Sequence, residues 1–362
     1  MNDDKGFYLV ASKITLDDIA KSVGVSPATV SLALSGKGRV SEQTRQAVTN
    51  AARRLGYLRR SAEGCSDDAA RTVGILYMVD YRWAFAWILI QPIVVEIMKN
   101  LEAEGYSAVL IPVRTTDDVD TVLERITSSG VVAVLPIHYG NQILFIRLED
   151  IGIPVVVVMN SDFQTKYYSV CVDDFQGAYE GCSYLLELGH RKIAFVDGER
   201  RDLPLLSRDR FFGFQKALAE AGIRLPDAYH VKVDFSDAHT IAHALDSLLA
   251  LPEPPSALFV LDDDLAVRLY DALRQRGISI PEDISMIAPG DVLDYELPHT
   301  PPITTMRINS TLMGRITAEL LLNRLKHRQE GIHVLKVNQK LVDRGSCRAI
   351  GPAAMPNEEI LL

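Results

Sequence analysis

The stretch from Ile14 to Tyr57, reading ITLDDIAKSVGVSPATVSLALSGKGRVSEQTRQAVTNAARRLGY, constrains this chain more than any other, because three short amphipathic helices are written into it together with their caps. Thr15 is placed to cap a first helix that carries Leu16, Ile19, Ala20 and Val23 at the i, i+3, i+4, i+7 spacing of one buried face, and Gly24 ends it. Ser26 caps a second helix with Pro27 at its first position, where the missing N–H costs nothing. Val30, Ala33 and Leu34 form its buried side; Ala28, Thr29, Ser31 and Leu32 form the other. A third helix runs from the Ser41 cap to Leu55, closes at Gly56 and buries Ala47, Val48, Ala51 and Leu55. Two helices joined by a tight glycine turn, the second short, small-faced and rich in hydroxyls, have the form of a helix-turn-helix. In that motif the second helix reads bases while its N-terminus meets phosphates. A helical bundle without a partner would share the periodicity, so charge is needed to separate the two.

Residues 1–60 hold ten Lys or Arg against five Asp or Glu, about +5, whereas the whole chain has 38 against 47, which leaves about −14 on the remainder. A basic head on an acidic body points to a polyanion partner for the head alone. The length of 362 residues suits one small DNA-binding domain and one large unit of two lobes. Cys65, Cys171, Cys182 and Cys347 are widely spaced and form no CxxC, so neither a zinc site nor a disulfide framework is expected and a reducing cytoplasm is the simplest setting. Ile88 to Val95 is apolar but is broken by Gln91 and Pro92, no stretch is long enough to span a membrane, and the polar N-terminus is unlike a secretory signal. No Ser-His-Asp set, catalytic carboxylate pair or phosphate-cradling glycine loop emerges, which argues against an enzyme, and no cofactor is expected. His239 and His243 lie one helical turn apart without a third metal ligand, so they read as a surface helix; His190, in LGHRK, reads as a turn residue between helix and strand.

From Thr72 onward, short β-branched runs alternate with amphipathic helical stretches, the pattern of parallel βαβ units. The expected strands are 73–79, 107–113, 131–137, 154–160, 192–198, 230–235, 256–262 and 284–289. Their near-continuous apolar character implies sheets covered on both faces. Ligands of such sheets sit outside the carboxyl ends of the strands, and a cleft between two lobes gathers those ends.

The chain resembles the lac-repressor (LacI/GalR) family of bacterial regulators. The resemblance rests on TLDDIAKSVGVSPATVS, GRVSEQTRQAV and LGY in the head, and then on VGIL (73–76), VDDFQGAYEGCSYLLELGHRKIAF (172–195), SRDRFFGFQKAL (207–218), ALFVLDDDLAV (257–267) and ISIPEDISMIA (278–288). It implies a small all-α helix-turn-helix headpiece followed by an α/β two-lobed, periplasmic-binding-protein-like core with parallel sheets. The expected divisions are an N-terminal arm at 1–12, a DNA-binding domain at 13–58, a hinge at 59–71, a ligand-binding and dimerisation core at 72–350 and a tail at 351–362. Within the core, one lobe takes 72–171 with 302–330 and the other 172–301 with 331–350.

DNA contacts are expected from Thr15, Ser26, Pro27, Ala28, Thr29, Ser31, Leu32, Ser41, Arg45, Tyr57, Arg59 and Arg60. Leu32 stands where many members carry a guanine-reading arginine, so base readout leans on thymine methyls through Pro27, Ala28 and Leu32, with Thr29 and Ser31 on phosphates. After Tyr57 the family has Pro-Asn and a hinge helix with an apolar wedge for the minor groove. Here Arg59 and Arg60 replace Pro-Asn, Gly64 weakens a helix and Asp67 and Asp68 repel phosphates, so a weaker hinge helix is expected.

For the effector, Arg210 matches the position of an arginine that forks onto ligand hydroxyls or a carboxylate, with an ion pair on a helix N-terminal turn beside Arg208 and Asp209 as its structural alternative. Asp263 matches an aspartate at a strand end, whereas Asp262 and Asp264 read as a solvated helix cap. Asp173 falls at the lobe junction. Asp291 stands where the family reads GFDD and this chain APGD. In the loop DYRWAFAWILIQP, Trp83, Phe85 and Trp87 either stack on a ring ligand or pack in the core or a dimer contact. The resemblance implies a homodimeric repressor of the cytoplasm and nucleoid, bound to double-stranded, near-palindromic operator DNA and controlled by a small-molecule effector, a sugar or derivative, in the interlobe cleft. The alternative is a small-molecule sensor whose atypical hinge leaves weak or non-specific DNA binding.

Overall fold

A computed structural model of the protein describes residues 15–34, 40–54, 71–79, 84–198, 204–234, 237–327 and 331–350. Contacts divide the chain into two compact units, residues 1–74 with 117–134 and 141–155, and residues 75–116 with 135–140 and 156–362.

The first unit contains α1 (Leu16–Val23), α2 (Pro27–Leu34) and α3 (Glu42–Arg54), each packed on the other two. Their starts are held by local side chains. The Asp18 carboxylate accepts from the Thr15 amide and hydroxyl, both at 2.8 Å, Ser26 Oγ accepts from the Thr29 amide at 3.1 Å, and Ser41 Oγ accepts from the Thr44 amide at 3.2 Å. Gly24 closes α1 in the left-handed region, with φ 73°, and its N–H returns to the Ala20 carbonyl. Ile19, Val30, Val48 and Ala52 are fully buried, together with Ala20, Ala33 and Ala51, and this alanine-rich seam lets the helices approach closely. Ala47 was expected on the buried face and is instead exposed. The inward stripe of α3 runs through 48, 51 and 52, one position round from the expected one, because α3 must meet α1 and α2 together. Leu55 and Gly56 lie outside the described residues.

In chain order the strands are β1 (Thr72–Met78), β2 (Ser107–Val113), β3 (Ala133–Ile137), β4 (Val156–Val158), β5 (Tyr168–Val172) and β6 (Ile193–Gly198). They continue with β7 (His230–Val233), β8 (Ala257–Val260), β9 (Ser285–Gly290), β10 (Thr304–Arg307), β11 (Val334–Val337) and β12 (Lys340–Val342). The helices among them are α4 (Ala84–Ala103), α5 (Val119–Ser128), α6 (Gln142–Asp150), α7 (Asp174–Glu187), α8 (Pro204–Glu220), α9 (Ala238–Leu249), α10 (Asp263–Gln275) and α11 (Ser310–Lys326). One six-stranded sheet has the order β11-β5-β4-β3-β1-β2 and a second has β12-β10-β9-β8-β6-β7.

All eight expected strands are present within two residues of their expected bounds. Four were not foreseen. β10 reads TTMR, too polar for a buried strand by composition, yet Thr304 and Thr305 are fully buried because Thr305 Oγ1 donates to the Ala288 carbonyl at 2.6 Å and Thr304 Oγ1 to Asp343 at 2.9 Å. β11 and β12 are short edge strands, and β5 abuts the acidic pair at 173–174.

The expected parallel sheets are present with one antiparallel edge pair, and a second expectation is corrected. The second sheet is not wholly parallel, since β12 runs antiparallel to β10 with Thr305 opposite Val342. Between β10 and β12 the chain passes through α11 and β11 and re-enters the second sheet two residues after β11, at the end where β10 leaves it, with Lys340 opposite Arg307, so β12 runs the opposite way. The expected lobe divides at 302 and 331 also come too early. β10 belongs to the second sheet, α11 packs on α4, β4 and β5, β11 belongs to the first sheet, and the chain changes sheets again at Asn338–Gln339. Among the described residues no helix is long and apolar enough to cross a membrane. α4 runs unbroken through Pro92, so Phe85 and Trp87 lie on a helix and not in the expected loop.

Candidate nucleic-acid interface and effector site

α2 contains no charged residue, so the partial positive charge of its N-terminus has no acid on the helix to offset it. Ser26, Pro27, Ala28, Ser31 and Leu32 are exposed on this helix, Leu32 at 43 %. Leu32 thus stands as an exposed leucine on an otherwise small face. Thr29 is half-buried and its hydroxyl lies 2.8 Å from Ser26 Oγ, so it supports the cap in this state of the protein. Thr15 and Ser41 are exposed at their helix starts, and Arg45 is half-buried with Nε 3.9 Å from Glu42. Tyr57, Arg59, Arg60 and most of the hinge lie outside the described residues.

Three of the effector candidates converge at the carboxyl ends of the second sheet, all within the second unit. Gly213 of α8 makes this possible. A Cβ there would lie 2.0 Å from the Phe175 carbonyl, so only glycine lets α8 cross α7 at this distance. One turn earlier, Arg210 is thereby laid over the start of α7. Its Nε and Nη2 both reach Asp174 Oδ1 at 2.8 Å, and Nη1 donates to the Leu261 carbonyl at the end of β8 at 2.6 Å. Arg210 is 3 % exposed. The expected ion pair on a helix N-terminal turn is therefore corrected: Arg210 sits inside α8 and its partner is Asp174, while Arg208 and Asp209 pair with each other at 3.6 Å.

Asp262, Asp263 and Asp264 are all buried, against the expectation of a solvated cap for the outer two. Asp262 does cap α10, accepting from the Leu265 amide at 2.9 Å, and Asp264 lies 3.7 Å from Arg268. Asp263 turns inward, and its Oδ2 accepts from the Val292 amide at 2.7 Å. Burial, and after it the charge of Asp262, push the Asp263 carboxyl up to about 7. Asp291, with φ 64°, accepts from both Arg307 and Arg344, and Arg344 lies 3.5 Å from the Tyr295 ring centroid. Its carboxylate is thus committed to holding the segment after β9 against β10. Asp173 caps α7, accepting from the Gln176 amide at 3.2 Å, with Lys336 Nζ at 3.8 Å.

Trp87 is 47 % exposed, its ring 6.4 Å from Tyr77. Trp83 and the Phe85 side chain lie outside the described residues. His239 and His243 are exposed on α9 and, with Lys232, Thr240 and Ser247, line a separate cavity of about 460 Å³. Among the described residues no group of three or more His, Cys, Asp or Glu is placed to hold a metal ion.

Residues 15–60 match the model of bacterial regulatory proteins of the lacI family, and residues 182–347 match the periplasmic binding protein-like domain. The HTH-type transcriptional repressor PurR of Haemophilus influenzae (strain PittEE) is 28 % identical over 347 residues, covering 93 % of this chain and 99 % of that protein. The chain belongs to the LacI family. PurR of Escherichia coli O139:H28 is likewise 28 % identical, over 345 residues, covering 93 % of this chain and 98 % of that protein. Among solved structures, the transcriptional regulator CelR in complex with cellobiose is 25 % identical with a TM-score of 0.65, over 92 % of this chain and all of that one. The lac repressor dimer bound to operator and the anti-inducer ONPF shares the fold at 24 % identity and a TM-score of 0.61, over 93 % of this chain and 99 % of that one. The LacI-family fold of an N-terminal helix-turn-helix and a two-domain α/β core with parallel sheets is therefore that of this chain, and its function class is a DNA-binding, effector-responsive transcription regulator.

Within this LacI-family protein, sequence reasoning missed Asp174, Asp197, Ser207 and His230. Asp197 ends β6, accepts from the Ser207 hydroxyl at 2.6 Å and the Gly198 amide at 2.9 Å, and lies 3.4 Å from His230 Nε2. His230 in turn stacks on Phe211 with ring centroids 4.1 Å apart. The usable signal was position: an aspartate closing the apolar run KIAFVD has the same relation to its strand as the acids that close FVLDDD.

Proposed function

We propose that the protein is a homodimeric repressor, acting on DNA in the cytoplasm at the nucleoid, that sets one headpiece on each half-site of a near-palindromic operator. A small molecule, a sugar or sugar derivative, at the carboxyl ends of the core strands controls its operator affinity. The observation that carries this reading is the outward face of α2: an uncharged helix capped by Ser26 and entered through Pro27, with Ala28, Ser31 and Leu32 exposed opposite a buried seam. Relatives named repressors and a neighbour solved with a disaccharide support the two halves of the proposal. A rigid dimer spends little entropy to place its second headpiece, and a ligand that prefers one arrangement of the core shifts operator affinity by that preference.

Selection of binding sites from random duplex DNA by the full-length protein at two salt concentrations tests the reading. A palindrome enriched at both salts is expected. Recovery of no motif, with binding that disappears as salt rises, would leave a small-molecule sensor without operator reading.

A further inference from the structure

We propose that the cavity between β7 and α9 is a second small-molecule site, and that it takes an oxyanion: the phosphate or carboxylate group of a small ligand. β7 is the outermost strand of its sheet and α9 packs against it, leaving a cavity of about 460 Å³ beside the sheet edge. That volume lies in the range of roughly 300–1,000 Å³ found for small-molecule pockets. His239, His243 and Ser247 stand at i, i+4 and i+8 on α9 and so share one side of the helix, and Lys232 of β7 lines the same cavity. Val231 and the buried Ala244 supply apolar wall.

The four polar side chains are donors without a task. A lysine carries three N–H groups and a charge, an imidazole offers a ring N–H in either protonation state, and a serine offers a hydroxyl. Among the described residues none of these four side chains has a hydrogen-bond or ion-pair partner. The acids of the flanking elements are engaged elsewhere: Asp237 caps α9 by accepting from the His239 amide at 2.8 Å, and Asp246, three residues on from His243, holds Arg276 Nε at 2.8 Å. Asp234 fixes the Thr240 hydroxyl through its backbone amide and carbonyl, at 3.0 and 3.1 Å, which commits Thr240 to the turn into α9. No acid lines the cavity among the described residues, and Phe235 and Ser236, the two residues of that turn outside them, carry no charge. An oxyanion satisfies several such donors at once and pairs with Lys232, whereas a cation meets the ammonium with no lining acid to offset it. The two histidines alone would suit a metal ion, but among the described residues no third ligand completes the set, and the Lys232 charge opposes it. Asp173, Arg210 and Asp263 do not line this cavity, so the site is separate from the strand-end residues described above.

Titration of the full-length protein with phenyl phosphate, benzoate and phenol, followed by calorimetry and by the histidine ring signals in NMR spectra, provides the test. At least one of the two oxyanions is expected to bind with a Kd of about 1 mM or below, at least about tenfold more tightly than phenol, and to shift the ring signals of His239 and His243. Phenyl phosphate alone in that role assigns the site to phosphates, benzoate alone to carboxylates, and both together to either group; each result upholds an oxyanion site. Lys232→Gln and the double variant His239→Gln with His243→Gln are each expected to weaken the bound oxyanion at least about fivefold. All three side chains are exposed and hold no partner, so the thermal melts of these variants should match that of the wild type. Phenol bound as tightly as the oxyanions would overturn the proposal, as would the absence of binding by both oxyanions. Oxyanion binding undiminished in both variants would place the anion elsewhere on the protein and overturn it equally.

Discussion

Gly290 faces Asp263 so closely that a Cβ on the glycine would lie 2.4 Å from Asp263 Oδ1, and its φ of 144° is one that side-chain-bearing residues rarely adopt. The end of β9 is thereby pressed onto the first residue of α10, and Val292, two residues on, donates its amide to the same carboxylate. Gly290→Ala is expected to lower stability by about 2–3 kcal/mol, from backbone strain and displacement of Asp263 together. Urea unfolding of the variant checks this, and a loss under about 0.5 kcal/mol would mean that the two elements are not locked.

The elevated Asp263 carboxyl makes a signed prediction. A carboxyl whose folded pKa lies above its unfolded value of about 4 binds its proton more tightly in the native state, so its contribution is present at low pH and is lost as pH rises from about 4 through 7. Each tenfold difference in proton affinity between the folded and unfolded chain is worth about 1.4 kcal/mol, so the loss is on the order of 4 kcal/mol at most. Asp263→Asn should flatten this part of the stability profile, and parallel wild-type and variant curves from pH 4 to 7 would contradict the assignment.

His190 slopes the other way. Its ring is fully buried, with Nδ1 2.8 Å from Ser256 Oγ and Nε2 3.1 Å from the Arg348 carbonyl, and burial holds its pKa below the usual value. Nε2 therefore carries the proton and donates to Arg348 while the ring stays neutral. A depressed histidine favours the native state above its unfolded pKa of about 6.5, and that contribution falls away as pH drops below it. His190→Gln should be less stable than wild type at pH 8 and lose less on acidification to pH 5, as read by thermal melts at both values.

Asp291 lies between Arg307 and Arg344, with its side chain 9 % exposed and that of Arg344 15 % exposed. Removing the acid strands a largely buried guanidinium. Asp291→Ala is expected to cost about 3 kcal/mol, and adding Arg344→Met should recover part of that loss by removing the stranded charge. An Asp291→Ala protein as stable as wild type would show that the pair contributes little to holding the end of β9.

In the headpiece, Leu32 and Arg45 should separate readout from attraction. Leu32→Ala is expected to cost about 1–3 kcal/mol of discrimination at the base pairs it covers, with the salt dependence unchanged. Arg45→Ala should weaken binding to all sequences and reduce the slope of log K against log salt by about one. Titrations of a selected operator and a scrambled duplex at three salt concentrations distinguish the two; an Arg45→Ala slope equal to that of wild type would remove it from the phosphate contacts.

What the sequence by itself determined is whatever depends on neighbours in the chain. Ser26 and Ser41 cap because a hydroxyl three residues before an amide reaches it wherever the helix sits, and Ile19, Val30 and Val48 are buried because their spacing gives each amphipathic helix a single apolar face to hide. The long apolar strands were legible for the same reason, since a run such as ALFV needs cover on both faces. Tertiary structure decided the rest. Arg210 could be placed from its motif, but its partner came from α7, because Gly213 lets two helices cross closely enough to pair it with Asp174. TTMR became a buried strand only because Ala288 and Asp343 accept its hydroxyls, and the divides at 302 and 331 moved once β10, β11 and β12 had found their sheets. The burial of polar groups, their charge pairing and the satisfaction of their hydrogen bonds here depend on residues far apart in the chain, so no local pattern encodes them.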